Sequence, residues 1–167
     1  MNDPKITKIY LDLDGVICNF TDRYKRLFNS LPDRDDKTKE FGKRFGAFIE
    51  GGNFATLDMM EGAVTLIHTL EQLYVDYGIP TEILSSTASE KRHDAIKSQK
   101  EEWLKTHDIS FKQNFVPGKS LKPQFATPTS LIIDDTVSVI DGWRRAGGPA
   151  IWHNNVPATL AMLKVWL

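Results

Sequence analysis

The apolar run Ile9-Tyr10-Leu11 gives out directly into Asp12-Leu13-Asp14-Gly15-Val16, and no other stretch constrains the chain as much. A buried strand sends alternate side chains to one face, so Asp12 and Asp14 can both address the same small volume at its end. Two carboxylates in one site are costly unless a cation or a proton intervenes. The pair therefore suggests a bound metal, with one carboxylate ionised and the other sharing a proton. Gly15 lets the backbone turn sharply without a Cβ penalty. A plainer reading, turn and cap aspartates, fits the same residues. An EF-hand loop does not, because it needs a third oxygen ligand before the glycine and a late Glu, where this chain has Leu13 and Thr21.

Further along, strand-like and helix-like segments alternate. Lys8 to Leu13, Thr81 to Leu84, Ser130 to Ile133 and Ala150 to Trp152 read as strands. Between them, helical spacing links Phe20, Tyr24, Leu27 and Leu31. The same spacing joins Ala63, Leu66, Ile67, Leu70, Tyr74 and Tyr77, a segment stopped by Gly78 and Pro80. Glu90 to Thr106 is expected to be helical, with Ile96, Trp103 and Leu104 inward, and Thr136 to Arg145 forms the next helix. Pro157 opens the last. Pro32 to Lys39 reads as a charged loop, and a loop with Pro117, Gly118, Pro123 and Pro128 precedes Ser130. Trp143, Trp152 and Trp166 are expected in the core, and His68, His93, His107 and His153 at the surface or at helix ends.

Such alternation implies crossover connections and a mainly parallel sheet covered on both faces. The expected fold is α/β, a three-layer Rossmann-like sandwich. A small helical cap over residues 18–56 is inserted after the first strand, and residues 1–17 and 57–167 form the core. Ligands of such sheets bind beyond the carboxyl ends of the strands. Asp12/Asp14, Ser85/Ser86 and Asp134/Asp135 each stand at such an end, so three strand ends point at one crevice.

Composition narrows the function class. The chain has 167 residues, 41% hydrophobic and 26% charged, as in an ordinary globular domain. No apolar run approaches the ~18 residues that span a bilayer, and Met1-Asn2-Asp3-Pro4-Lys5 does not resemble a signal peptide. The lone Cys18 excludes an internal disulfide and reads as a small buried side chain. A cytoplasmic location is expected, that of the host if the chain is viral. A net charge of −1 offers no bulk attraction for nucleic acid or membrane. Lysines and arginines nevertheless concentrate between Lys91 and Lys122, most of them on a solvated helix face. The chain shows no internal repeat and no low-complexity tract, and a homodimer is compatible with it.

The carboxylates call for a hard cation with oxygen ligands, Mg²⁺, and no Cys/His spacing competes for zinc. Asp12 and Asp134 would bind it with the Asp14 backbone carbonyl, and Asp135 would orient its waters; alternatively one of Asp134 and Asp135 caps the helix after Thr136. A metal, four carboxylates, a strand-end hydroxyl and lysines suit a phosphomonoester, which carries about two negative charges near neutral pH. Asp12 would attack phosphorus and form an aspartyl-phosphate. Asp14 would protonate the leaving alkoxide and then take a proton from the hydrolytic water. Ser85 would bond a phosphoryl oxygen, and a lysine would offset the equatorial charge.

Asp12-Leu-Asp-Gly-Val16, Ser85, a downstream lysine and Asp134-Asp135 resemble the four motifs of the haloacid dehalogenase (HAD) superfamily of phosphotransferases. Within it the chain is most similar to the 5′(3′)-deoxyribonucleotidases, through Asp12 to Phe20, Asn53-Phe54-Ala-Thr-Leu57 with Glu61-Gly62-Ala63, Lys100-Glu-Glu-Trp103, and Leu131-Ile-Ile-Asp-Asp135. The resemblance implies a Mg²⁺-dependent phosphatase of nucleoside monophosphates. It puts Asp12 on the nucleophile, Asp14 on the acid/base, Ser85 on the phosphate-binding hydroxyl and Lys100 on the phosphate-binding lysine, with Lys119 and Lys122 as alternatives. Ser86 and Lys119 would also touch substrate. Phe20 falls on a base-stacking position and Phe54 on the region closing over the sugar; ordinary cap packing would explain both equally well.

Two departures touch the substrate's surroundings. Ser85-Ser86-Thr87 stands where the family commonly has Thr-Ser-Pro, and Thr136 where an arginine often follows the paired aspartates. A phosphatase trimming nucleic acid ends is the nearest rival, although stable nucleic-acid binding is not expected. A module that binds nucleotide without hydrolysing it is the rival from another class.

Overall fold

The computed structural model describes residues 5–36 and 38–167. Five parallel strands, β1 (Lys8–Leu11), β2 (Thr81–Ser86), β3 (Lys112–Val116), β4 (Ser130–Asp134) and β5 (Ala150–Trp152), form one sheet in the order β3-β2-β1-β4-β5. β1 is central, with Leu11 beside Ile83 of β2 and Ile133 of β4. From β1 the chain builds outward to β3, then crosses to the other side for β4 and β5. The strand order therefore switches beside β1, which opens a crevice at the carboxyl ends of β1, β2 and β4.

Alternation along β1 explains the three layers. Ile9 and Leu11 join Ile83, Leu131, Ile133 and Ile151 in a core covered by α4 (Ala63–Tyr77), α5 (His93–Thr106) and α7 (Val156–Leu163). Tyr10 points the opposite way, among Leu84, Ile132 and the Val139, Ile140 and Trp143 side chains of α6 (Val137–Arg145). Its ring meets Trp143 and Phe125 edge-on, with centroids 5.5 and 5.7 Å away. The α/β sandwich is as the sequence predicts.

Several expectations need correction. β3 falls in a stretch with no strand assignment, because Lys112-Gln113-Asn114 is polar and only Phe115 and Val116 are apolar. It is the sheet's outer edge, where one side of the ladder faces solvent. Asn114 ties it inward, donating to Glu82 Oε1 and the Ile83 carbonyl at 3.0 Å each. In the stretch read as a loop, Lys119–Phe125 is a 3₁₀ segment. Tyr74 and Tyr77 are exposed, and Leu73 takes the inward position on α4. Trp152 is also exposed, at 46%, its indole donating to the Asp135 carbonyl. His153 lies buried rather than at the surface, its Nδ1 2.6 Å from Thr159 Oγ1.

Residues after the first strand form α1 (Phe20–Phe28), a single turn α2 (Pro32–Asp35), α3 (Lys39–Glu50) and a 3₁₀ turn at Asn53–Thr56. Leu27 and Leu31 face solvent, and α1 packs instead through Phe20, Tyr24 and Phe28. Asp35, in the segment expected to be a loop, is buried. It accepts hydrogen bonds from Tyr24 Oη, Ser30 Oγ and Arg44 Nη1 at 2.8, 2.7 and 2.6 Å, joining all three helices. These bonds hold its carboxyl down at about 2, Ser30's foremost. On α5, Gln99 donates to the Ile49 carbonyl and accepts from the Phe54 amide, linking the helical insertion to the sandwich.

Candidate active site

The loop after β1 is wound around one carbonyl. The amides of Val16, Ile17 and Cys18 all donate to the Leu13 oxygen, at 3.1, 2.9 and 2.9 Å. Gly15 has φ +81°, and a Cβ there would run into the Asp135 carboxylate. Conformation and space both demand glycine. Gly15→Ala is therefore expected to cost about 2 kcal/mol through backbone strain. In a thermal melt that reads as a fall of about 4–8 °C in Tm.

Two lysines enter the crevice from opposite sides. Lys100 lies on the inward face of α5 beside Ile96, Trp103 and Leu104, and is buried. Its ammonium donates to Asp14 Oδ2 (2.9 Å), Ser85 Oγ (2.7 Å) and the Ser86 carbonyl (2.8 Å). Lys122 comes from the 3₁₀ segment and is only 2% exposed. It bridges Asp12 Oδ1 at 2.9 Å and Asp134 Oδ2 at 2.7 Å. The sequence leaves the choice among Lys100, Lys119 and Lys122 open; the structure brings two of them to the carboxylates, and Lys119 reaches only the cavity wall. Burial opposes the charge of Lys122, yet the two aspartates hold its pKa above the ordinary value.

Asp12, Asp134 and Asp135 each place a carboxylate oxygen within 4.8 Å of the others. Burial, and then the charge of Asp12, push Asp134 up to about 6; burial with Asp12 and Asp134 pushes Asp135 up to about 8. One ammonium does not balance three carboxylates, and an all-oxygen donor set fits a hard divalent cation. Asp14 stands apart from this cluster and contacts Lys100 instead. Asp134 Oδ1 also accepts the Thr136 amide at 2.8 Å, which fixes the turn into α6, but no side chain caps that helix, so neither Asp134 nor Asp135 is its N-cap. Asp14 Oδ1 is buried without a hydrogen-bond partner among the described residues. A buried oxygen left so is an acceptor waiting for a proton or a donor.

These groups open on a cavity of about 520 Å³ between the strand ends and the helical insertion. Asp12, Asp14, Ser86, Lys100, Lys122 and Asp135 line its inner end. Ser85 is fully buried behind them, held by Lys100, so Ser86 is the serine that reaches the cavity. Phe20 and Phe54 line the cavity too, but they stack on each other, with centroids 5.6 Å apart and planes 3° from parallel. Phe54 is nearly buried, so Phe20 has the more open ring. Cys18 is buried beneath the loop, and burial pushes its thiol well up, which keeps it a packing residue.

No protein-family model and no curated protein matches the sequence. Solved structures do. A hydrolase from Streptococcus pneumoniae aligns with a TM-score of 0.56 at 14% identity, over 96% of this chain and 99% of that one. YfnB from Bacillus subtilis, described as a HAD-hydrolase bound to magnesium, aligns with a TM-score of 0.51 at 16% identity, over 92% and 90%. The five-stranded parallel α/β fold of this chain is thus the fold of these two structures.

Proposed function

We propose that this protein is a phosphomonoesterase that uses Mg²⁺ and an aspartyl-phosphate intermediate to hydrolyse nucleoside monophosphates, deoxyribonucleotides foremost. The observation that carries the reading is the meeting of Asp12, Asp14, Lys100, Lys122 and Asp135 at one end of a single cavity, with Asp134 buried behind Lys122. A carboxylate nucleophile, a second carboxylate with an open oxygen, and two buried ammonium groups supply what phosphoryl transfer requires.

Asp12 attacks phosphorus in line, and the bond to the leaving oxygen breaks. Asp14 Oδ1 gives that oxygen a proton, then takes one from the water that opens the aspartyl-phosphate. Lys100 exchanges its bonds to Asp14 and Ser85 for phosphoryl oxygens, releasing Asp14 to carry the proton. Ser86 donates its hydroxyl to the phosphoryl group, and Lys122 keeps Asp12 aimed. Mg²⁺ held by Asp12, Asp134 and Asp135 would neutralise charge on the phosphoryl oxygens. Residues 18–56 act as a cap on a core of residues 1–17 and 57–167, with Phe20 against the base. Among the described residues no helix is long and apolar enough to cross a membrane; the proposed setting is the cytoplasm and the proposed substrate a small nucleotide.

A panel of ribo- and deoxyribonucleoside 3′- and 5′-monophosphates, assayed for phosphate release, tests this. Release is expected from deoxyribonucleotides with Mg²⁺, falling to background with EDTA. No release from any member would reject the phosphatase; preferential release from phosphorylated oligonucleotide ends would assign the rival substrate.

A further inference from the structure

A second cavity, of about 560 Å³, adjoins the first on the opposite side from the helical insertion. Its walls are one face of the Lys119–Phe125 segment and one face of α6, through Ser138, Val139, Gly142 and Arg145. A Cβ on Gly142 would sit 3.0 Å from Pro123 Cγ, so the walls touch at an apolar floor. The polar groups stand above it: Lys119, Ser120, Ser138 and Arg145, all exposed. No carboxylate lines this cleft, and among the described residues neither Lys119 nor Arg145 has an ion-pair partner. Lys119 lines both cavities, so they adjoin at its side chain.

The first cavity is polarised the other way. Toward the helical insertion it is lined by Asp33 and Asp36, which repel any anionic group beyond the one being hydrolysed. A second phosphoryl group on the substrate is thus repelled at the α2 side and met by two cations and two hydroxyls at the α6 side. Arginine suits this task, because its fork of donors matches phosphate oxygens. We propose that the cleft between Lys119–Phe125 and α6 is a subsite for a second phosphoryl group carried by the substrate. This rests on the phosphomonoesterase reading above.

The test compares kcat/KM for a nucleoside 5′-monophosphate, the matching 3′,5′-bisphosphate and a 5′-phosphorylated dinucleotide. Wild-type protein is expected to favour the 3′,5′-bisphosphate over the monophosphate. Arg145→Ala should cut that preference by about tenfold, the loss of one charge-assisted contact, while Lys105→Ala, an equal charge change on the exposed end of α5, should preserve it. An unchanged preference in Arg145→Ala, or an equal fall in both variants, overturns the subsite. A larger Arg145→Ala effect on the dinucleotide than on the bisphosphate marks a nucleic acid end as the source, and the reverse marks a free nucleotide. A second readout needs no turnover: in Asp12→Asn protein the bisphosphate should shift the Ser120, Ser138 and Gly142 amide resonances, and the monophosphate should not. If no substrate is hydrolysed, the phosphatase reading fails, and these shifts alone decide the subsite; their absence rejects it.

Discussion

With Asp12 as the proposed nucleophile, Asp12→Asn protein is expected to lose phosphate release by roughly 10⁴-fold while keeping its fold, because a residue acting covalently in the chemical step is not replaceable by its neighbours. The substitution is nearly isosteric, which matters at a buried position. Asparagine still offers an oxygen to Lys122, so the bond now made at 2.9 Å can persist. An amide is a far poorer nucleophile toward phosphorus than a carboxylate, and the aspartyl-phosphate cannot form. Stability should be unchanged or slightly raised, because the charge of Asp12 is one of the causes that push Asp134 and Asp135 up, and that repulsion is gone. Phosphate release and a thermal melt separate the two effects. Activity within tenfold of wild type would exclude Asp12 as the nucleophile.

The second large effect concerns Lys122. Its ammonium is buried between Asp12 and Asp134, and Lys122→Met leaves those carboxylates without their cation. Removing one partner of a buried charged pair costs about 3–5 kcal/mol. At 3 kcal/mol the fall in Tm would be about 6–12 °C for a chain of this size. Turnover should fall steeply as well, since Asp12 loses the group that aims it. If the three carboxylates form a divalent-cation site, Mg²⁺ should stabilise Lys122→Met protein by more than wild type. At about 100-fold above its dissociation constant the ion would return about 2.7 kcal/mol. Melts with Mg²⁺ and with EDTA measure this directly. Equal Tm values in the two conditions, for wild type and variant alike, would count against metal binding.

The parts of this molecule that could be read from its sequence are those where chemistry and periodicity coincide. Asp12, Asp14, Asp134 and Asp135 stood out because acidic side chains are conspicuous after runs such as Leu131-Ile132-Ile133. Lys100 is legible for a different reason: it stands three residues before Trp103, as the phosphate-binding lysine of the family it resembles precedes an aromatic, and the structure places it on the inward face of α5. Lys122 gives no such sign. It lies in a proline-punctuated 3₁₀ segment without a repeating apolar pattern, and its burial follows from how that segment packs on α6 and the sheet. Asp35 was similarly hidden, since a charged stretch behind Pro32 looks solvated until Tyr24, Ser30 and Arg44 converge on it. β3 was missed because a polar edge strand is defined by its neighbour more than by its own residues.

Gln99 and Lys100 are adjacent on α5, one gripping the helical insertion through Ile49 and Phe54, the other Asp14 and Ser85 at the strand ends. Access to the crevice and placement of an ammonium are thereby geared to a single rod of backbone. Swinging the insertion away from α5 breaks both Gln99 bonds, about 2 kcal/mol together, which alone holds such an opened form roughly thirtyfold below the closed one.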